Sequence, residues 1–287
     1  MKSAIIIANH GTTNITEARE GLHHFRMELV HELPENVGLY TAILNDIVRE
    51  AALRDACQVK RNGTDMAPVP DDYYGEMSRA YMAGSLLSMK EACDQAIEDG
   101  YDRLVIFPTI MMDSPLYQSM IRDVDTEAGK AGIKDVEILP PILDEEDLSS
   151  ANRLAKLIEQ SLHIQNREKY ILIGYETDHS MKQMYQQLQE AFFEHDLDNV
   201  YVASLNNRDG LSRIAADLRR QQYSGILKMQ PLTTNSFGHI LEEDHGDTRQ
   251  IAELFRRFGF QVQVIHKGLA CYPEYRQGLI HRALNAL

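Results

Sequence analysis

The chain has 287 residues, 44% apolar and 25% charged, which is the balance of an ordinary globular protein of about two domains at roughly 150 residues each. Its net charge of −14 lacks the basic footprint of a nucleic-acid binder and disfavours an anionic membrane surface, while leaving room for a small anionic ligand in a local basic pocket. The apolar run Ile5-Ile6-Ile7 near the start is too short for a secretory core of about 7–15 residues or a membrane span of about 20, and three scattered cysteines, Cys57, Cys93 and Cys271, read as reduced thiols of a cytoplasmic protein.

Strand and helix patterns alternate from end to end. Ala4–Ala8 is an unbroken apolar run, as expected of a strand covered on both faces. A helix follows, with Asn14 as N-cap and Glu17 closing a capping box. His23, His24 and His31 read as a surface or partly packed face of that helix. Strands are predicted at Val37–Leu44, Arg103–Ile110 and Val136–Ile142, and helices at Asp46–Asp55, Met82–Glu98, Tyr117–Ala131 and Ser149–Leu162. The second half repeats the plan. Strands fall at Tyr170–Gly174, Val200–Leu205, Gly225–Met229 and Phe260–Ile265; helices fall at Met181–Phe193, Gly210–Gln222, Ile251–Phe258 and Tyr275–Leu287.

Two sets of four βα units imply an α/β protein of two similar lobes, each a four-stranded parallel sheet flanked by helices. The expected division is a first lobe over 1–145, a connecting helix and linker over 146–166 with the join near His163–Arg167, and a second lobe over 167–287 with its closing helix. Parallel sheets bind ligands beyond the carboxyl ends of their strands, so a cleft between the lobes would be lined by strand-end loops. A weak internal repeat lays Ile5–His10 on Ile171–Glu176 and Asp113–Tyr117 on Asn235–His239. It breaks at about Gln58–Tyr81, an aperiodic insertion that reads as a solvated loop or as a lid.

Two of the eleven histidines stand where a site would be. His10 ends the first strand and is followed by Gly11-Thr12-Thr13, small residues that let backbone approach a ligand. His239 opens His239-Ile240-Leu241-Glu242-Glu243-Asp244-His245; on a helix, Glu242 and Glu243 fall near the face of the histidine. Imidazole with carboxylate suits iron, cobalt, nickel or zinc. The plainer alternatives are a strand-end histidine bonded to backbone and a solvated helix start whose acids favour the dipole. His179 and His195 have no spaced partners, and Met111-Met112 read as packing residues. P-loop, GxGxxG, GxSxG and HExxH motifs are absent, which removes the commonest nucleotide, hydrolase and protease readings.

Taken in order, several segments resemble the class II tetrapyrrole chelatases, most nearly the anaerobic cobaltochelatases that metallate sirohydrochlorin. His10-Gly11-Thr12-Thr13 is similar to that family's first-strand signature, and Gly100-Tyr101 through Arg122-Asp123-Val124 to its third strand and following helix. Pro231-Leu232 followed by His239 resembles the segment that carries a metal-binding histidine. Gly268-Leu269, Pro273, Arg276, His281 and Ala283-Leu284 resemble the C-terminal helix. Two positions depart from the pattern. Gly174-Tyr175-Glu176 stands in place of Gly-His-Gly, and Pro108-Thr109-Ile110 where a further histidine is expected.

The resemblance implies a lyase that inserts a divalent metal, Co²⁺ or alternatively Fe²⁺ or Ni²⁺, into a sirohydrochlorin-type tetrapyrrole, in cobalamin or related biosynthesis. Its metal ligands would be His239, His10 and Glu242. His239, His10, Glu243 and Glu176 would assist deprotonation, and Gly11, Thr12, Thr13, Tyr175, Asp113 and Ser114 would bind the tetrapyrrole. The metal is a substrate, no tightly bound cofactor is expected, and partners are restricted to the small molecule and a candidate second copy of the chain. Two alternatives stand beside it: a chelatase-like carrier of a tetrapyrrole or metal that has lost turnover, and an unrelated two-lobed α/β protein, since a fold does not fix a function.

Overall fold

A computed structural model describes residues 2–12, 18–50, 87–165, 168–175, 179–235 and 247–287. The expected cap at Asn14 and Glu17, the later part of the 46–55 helix, the Gln58–Tyr81 insertion, Thr13, Glu176, His239, Glu242 and Glu243 lie outside those residues.

The first sheet holds β1 (Ser3–Asn9), β2 (Val37–Ile43), β3 (Arg103–Pro108) and β4 (Asp135–Ile138) in the order β2-β1-β3-β4, all parallel. The second holds β5 (Lys169–Gly174), β6 (Val200–Ser204), β7 (Ile226–Pro231) and β8 (Gln261–Val264) in the matching order β6-β5-β7-β8, again parallel. Parallel neighbours need crossovers, and helices supply them. In the first unit these are α1 (His24–Glu32), entered through a π-helical turn at Ala18–His23, a helical stretch at 46–50, α2 (Met89–Glu98) and α3 (Pro115–Ala131). The second unit has α4 (Ser149–Leu162), α5 (His179–Glu194), α6 (Arg208–Arg220) and α7 (Asp247–Arg257). The last helix is α8 (Pro273–Leu284).

Local chemistry sets the boundaries. α2 starts at Met89 rather than Met82 because Ser88 forms a full capping box: its hydroxyl accepts from Glu91 N at 3.2 Å, and the Glu91 carboxylate accepts from Ser88 N at 2.7 Å. Just before it, Leu87 bridges to Ala42. α3 begins at Pro115, whose missing N–H costs nothing at a first helical position, and ends at Gly132 with φ +70°. β3 ends at Pro108 instead of Ile110, and β4 at Ile138 instead of Ile142, since Pro108, Pro140 and Pro141 have no N–H for a ladder.

Each sheet buries apolar faces under its helices. In the first unit Ala4, Ile6 and Ala8 of β1 pack with Met89, Ala92, Cys93 and Ala96 of α2 and with Tyr117, Met120 and Val124 of α3. Ile5 and Ile7 face the other way and are also buried, with Phe25 of α1 meeting Phe107 of β3 at 6.0 Å between ring centroids. Burial on both faces is why β1 shows no alternation. In the second unit Ile171 and Ile173 pack with Leu211, Ala215 and Leu218 of α6 and with Ile251, Ala252 and Phe255 of α7. Each such aliphatic side chain contributes about 1.5–3 kcal/mol.

The units divide differently from the expected lobes. One comprises Met1–Pro141 with Arg276–Leu287, the other Ile142–Tyr275. Within the expected connector, α4 packs on α5 with Leu154, Ala155 and Ile158 buried. Most of the closing helix belongs to the first unit. There Arg276 makes a bidentate pair with Glu28 of α1, at 2.9 and 2.7 Å, and donates to the Glu20 carbonyl at 3.2 Å. Arg282 reaches the carbonyls of Pro140 and Pro141, and Arg103 donates to those of Ala286 and Leu287.

Backbone pairing also corrects the internal repeat by one residue. Ala8 pairs with Pro108, and Thr109 N donates to Ala8 O at 2.9 Å; Ile173 pairs with Pro231, and Leu232 N donates to Ile173 O at 2.7 Å. Leu44 N donates to Asn9 O and Leu205 N to Gly174 O. Asn9 is therefore equivalent to Gly174, and His10 to Tyr175 rather than Glu176.

Candidate functional site

The carboxyl end of β1 is fixed before its functional side chains begin. Asn9 is fully buried, and its Nδ2 donates to the Ala42 carbonyl of β2 at 3.0 Å, extending the hold of β2 on β1. Gly11 has φ +84°, a conformation that costs other L-residues about 1–2 kcal/mol. A Cβ there would stand 2.6 Å from Ile43 Cγ2 and 2.8 Å from Val48 Cγ1. The chain turns sharply at this point because glycine alone fits, and His10 is left half-buried at the strand end with Thr12 buried beyond it.

The His10 ring is held at both nitrogens. Nδ1 lies 3.2 Å from the Gly11 carbonyl, and Nε2 lies 3.1 Å from Asn45 Nδ2. Asn45 follows β2, and its Oδ1 accepts from Ile47 N at 3.0 Å and Val48 N at 3.2 Å, capping the helical stretch at 46–50. Two backbone donors commit Oδ1, so the other terminal atom is the amide nitrogen, which can only donate. Nε2 of His10 therefore accepts, and the ring proton sits on Nδ1 and points to the Gly11 carbonyl. Sequence reasoning missed Asn45. The available signal was an asparagine just past a strand and two residues ahead of apolar Ile47-Val48, which marks an N-cap.

Other first-unit candidates have local duties. Ser114 caps α3, accepting from Tyr117 N at 3.2 Å. Asp113 is exposed and accepts from Gln118 Nε2 at 2.9 and 2.8 Å. Thr109, where the resemblance expected a histidine, is buried, and its hydroxyl approaches the Ala8 carbonyl at 3.5 Å. Beside the site Arg49 is paired with Asp46 at 3.5 Å and Glu91 at 3.3 Å.

In the second unit Gly174 ends β5 against Tyr185, whose hydroxyl oxygen lies 1.9 Å from where a Cβ would stand and donates to the Tyr175 carbonyl at 3.2 Å. The Tyr175 side chain is 48% exposed at the strand end. After β7 the backbone is well held: the carbonyls of Thr233 and Thr234 accept from Leu269 N and Ala270 N at 2.9 Å each. Gln230, fully buried, donates to the Lys267 carbonyl at 3.2 Å and accepts from the Tyr272 hydroxyl at 3.2 Å, while burial pushes the Tyr272 phenol above its ordinary pKa. Asn235, the last described residue before His239, is buried. Among the described residues no three His, Cys, Asp or Glu side chains are placed to hold a metal ion together, and no helix is long and apolar enough to cross a membrane. His10 and Asn45 are the pair the structure brings together.

The family described as Cobalt chelatase (CbiK) matches residues 3–287. No curated protein matches the chain. Among solved structures, the fold is similar to that of the sirohydrochlorin chelatase SirB from Bacillus subtilis subspecies spizizenii in complex with cobalt, at 10% identity, TM-score 0.59, covering 99% of this chain and 95% of that one. SirB from Bacillus subtilis with Fe³⁺ gives 11% identity, TM-score 0.61 and the same two coverages, 99% and 95%. DR2241 from Deinococcus radiodurans, a multi-domain protein with structural similarity to chelatases, gives 13% identity and TM-score 0.57, with 98% of this chain and 54% of that one covered.

Proposed function

This chain belongs to the cobalt chelatase (CbiK) family, and we propose that it inserts a divalent metal, Co²⁺ foremost, into a sirohydrochlorin-type tetrapyrrole. The observation that carries this reading is His10, which ends the central strand β1 with a lone pair on Nε2 in a chain that matches a chelatase family along nearly its whole length. Insertion removes two pyrrole N–H protons and bends the macrocycle until its nitrogens meet the ion. An imidazole can present the ion or take one of those protons. In this reading His10 and His239 meet the metal, with Glu242 as a further ligand, and Glu243 and Glu176 take up protons. Gly11, Thr12 and Thr13 offer backbone N–H groups to the carboxylates of the macrocycle. Tyr175, exposed at the position equivalent to His10, offers a hydroxyl; a phenol is a poor base at neutral pH, so its part is hydrogen bonding. The metal is a substrate, and the reaction belongs in the cytoplasm, in cobalamin or related tetrapyrrole synthesis.

The test is an anaerobic assay of purified protein with sirohydrochlorin and Co²⁺, Fe²⁺ or Ni²⁺ in turn, following absorbance against a protein-free control. The expected result is insertion above the spontaneous rate, fastest with Co²⁺, and a fall of at least about 100-fold in His239→Ala and in His10→Ala, the scale on which a general acid–base group contributes. The second reading, a carrier without turnover, is favoured by Tyr175 standing where a histidine is expected. It would show as a spectral shift of bound tetrapyrrole with no metal uptake.

A further inference from the structure

We infer that Asn45 is a positioning residue for His10: it fixes the imidazole in the Nδ1–H tautomer and covers Nε2, so that an arriving ion must displace the Asn45 amide to reach the ring. The inference rests on the reading of His10 as a group that meets the metal. Four contacts carry it. Oδ1 of Asn45 is committed to Ile47 N and Val48 N, Nδ2 stands 3.1 Å from His10 Nε2, and His10 Nδ1 stands 3.2 Å from the Gly11 carbonyl. Backbone N–H groups cannot accept, so the amide cannot be turned round without losing the helix cap. The second nitrogen tells the same story, because a carbonyl can only accept and therefore calls for a proton on Nδ1.

Asn45 thus does two things at once. It gives the ring the tautomer in which Nε2 carries a lone pair, which is the form that binds a metal, and it occupies that lone pair with a neutral donor that leaves without any proton transfer. The exchange at Nε2 is one hydrogen bond for one coordinate bond. A ligand nitrogen tuned by the hydrogen bond on its opposite ring atom is the general logic of histidine metal sites; here the Gly11 carbonyl supplies that bond.

The experiment uses the full chain with ¹⁵N-labelled histidine, read at one fixed pH, and Zn²⁺ as a diamagnetic probe. Wild type is expected to show Nδ1 protonated and Nε2 bare. Asn45→Asp keeps an oxygen cap on the helix but presents an acceptor to Nε2 while the Gly11 carbonyl still faces Nδ1, and should put a proton on Nε2 as well. Asn45→Ser keeps a cap but has no amide to give, so Zn²⁺ should bind about five-fold more tightly than in wild type, the scale of one lost competing hydrogen bond. A residue that merely capped the helix would move neither readout. An Nε2–H tautomer in wild type, or Nε2 still unprotonated in Asn45→Asp, overturns the inference. So does Zn²⁺ affinity in Asn45→Ser equal to or weaker than wild type while His10→Ala loses binding, an outcome that leaves the reading of His10 standing. Unchanged Zn²⁺ binding in His10→Ala overturns both.

Discussion

Replacing Gly11 with alanine tests whether the turn that presents His10 is set by sterics as well as by backbone preference. Two costs add at this position. The φ of +84° costs a non-glycine residue about 1–2 kcal/mol. The new methyl group would also lie 2.6 Å from Ile43 Cγ2 and 2.8 Å from Val48 Cγ1. Carbon atoms rest about 3.5–4.0 Å apart, so β2 or the 46–50 stretch must shift, at the usual overpacking cost of about 1–3 kcal/mol. The sum is about 3 kcal/mol, or about 6–12 °C in melting temperature at this size. Gly132 supplies the control: its φ is +70°, but nothing stands within 4 Å of an added Cβ. Gly132→Ala should therefore show the backbone cost alone, about 1–2 kcal/mol. Urea unfolding of both variants against wild type, at unchanged m-value, measures the difference. A Gly11→Ala variant no less stable than Gly132→Ala would refute the steric argument.

Three further outcomes follow from packing and charge. Arg276→Met removes a 6% exposed guanidinium from a bidentate pair with a carboxylate that is one-third exposed; it should cost about 2 kcal/mol, discounted for solvent at Glu28, and a double-mutant cycle with Glu28→Gln should recover most of that as coupling. Ser88→Ala breaks the capping box of α2 and should cost about 1 kcal/mol in chemical denaturation. Burial, with Asp94, Glu127 and Asp123 nearby, pushes the Cys93 thiol up to about 12, so at pH 8 only roughly one folded molecule in ten thousand carries its thiolate. Iodoacetamide should therefore label Cys93 only on unfolding, as read by mass spectrometry. Because the folded pKa is raised, this thiol's contribution to stability is complete below the unfolded pKa and declines as pH rises toward 12, and Cys93→Ala should flatten that decline.

The strands were legible wherever burial on both faces produced an unbroken apolar run, as in Ile5-Ile6-Ile7 and Ile171-Leu172-Ile173. The same uniformity hid their register. With no alternation to mark a face, matching letters put Glu176 opposite His10, whereas the pairing partners of Pro108 and Pro231 put Tyr175 there. The strand ends at Pro108 and Ile138 were overrun because apolar character continued past residues that cannot donate. Ser114 was legible as a polar residue after a strand, but its bond to Tyr117 N is a cap, a role that composition cannot separate from ligand binding. Asn45 was missed for the opposite reason: its signal is that of an ordinary cap, and only three dimensions bring its other end to His10.

The division of the chain also bears on how it is made. Ile142–Tyr275 is one continuous stretch, whereas the unit containing His10 needs Arg276–Leu287 as well as Met1–Pro141. On a ribosome, the second unit has all its parts while the first still waits for Arg276 to reach Glu28 and for Ala286 and Leu287 to reach Arg103. The usual order, in which the leading domain is finished first, is thereby reversed for its final step. A premature stop after Tyr275 would leave a chain with an intact trailing unit and a leading sheet whose α1 has lost its anchor.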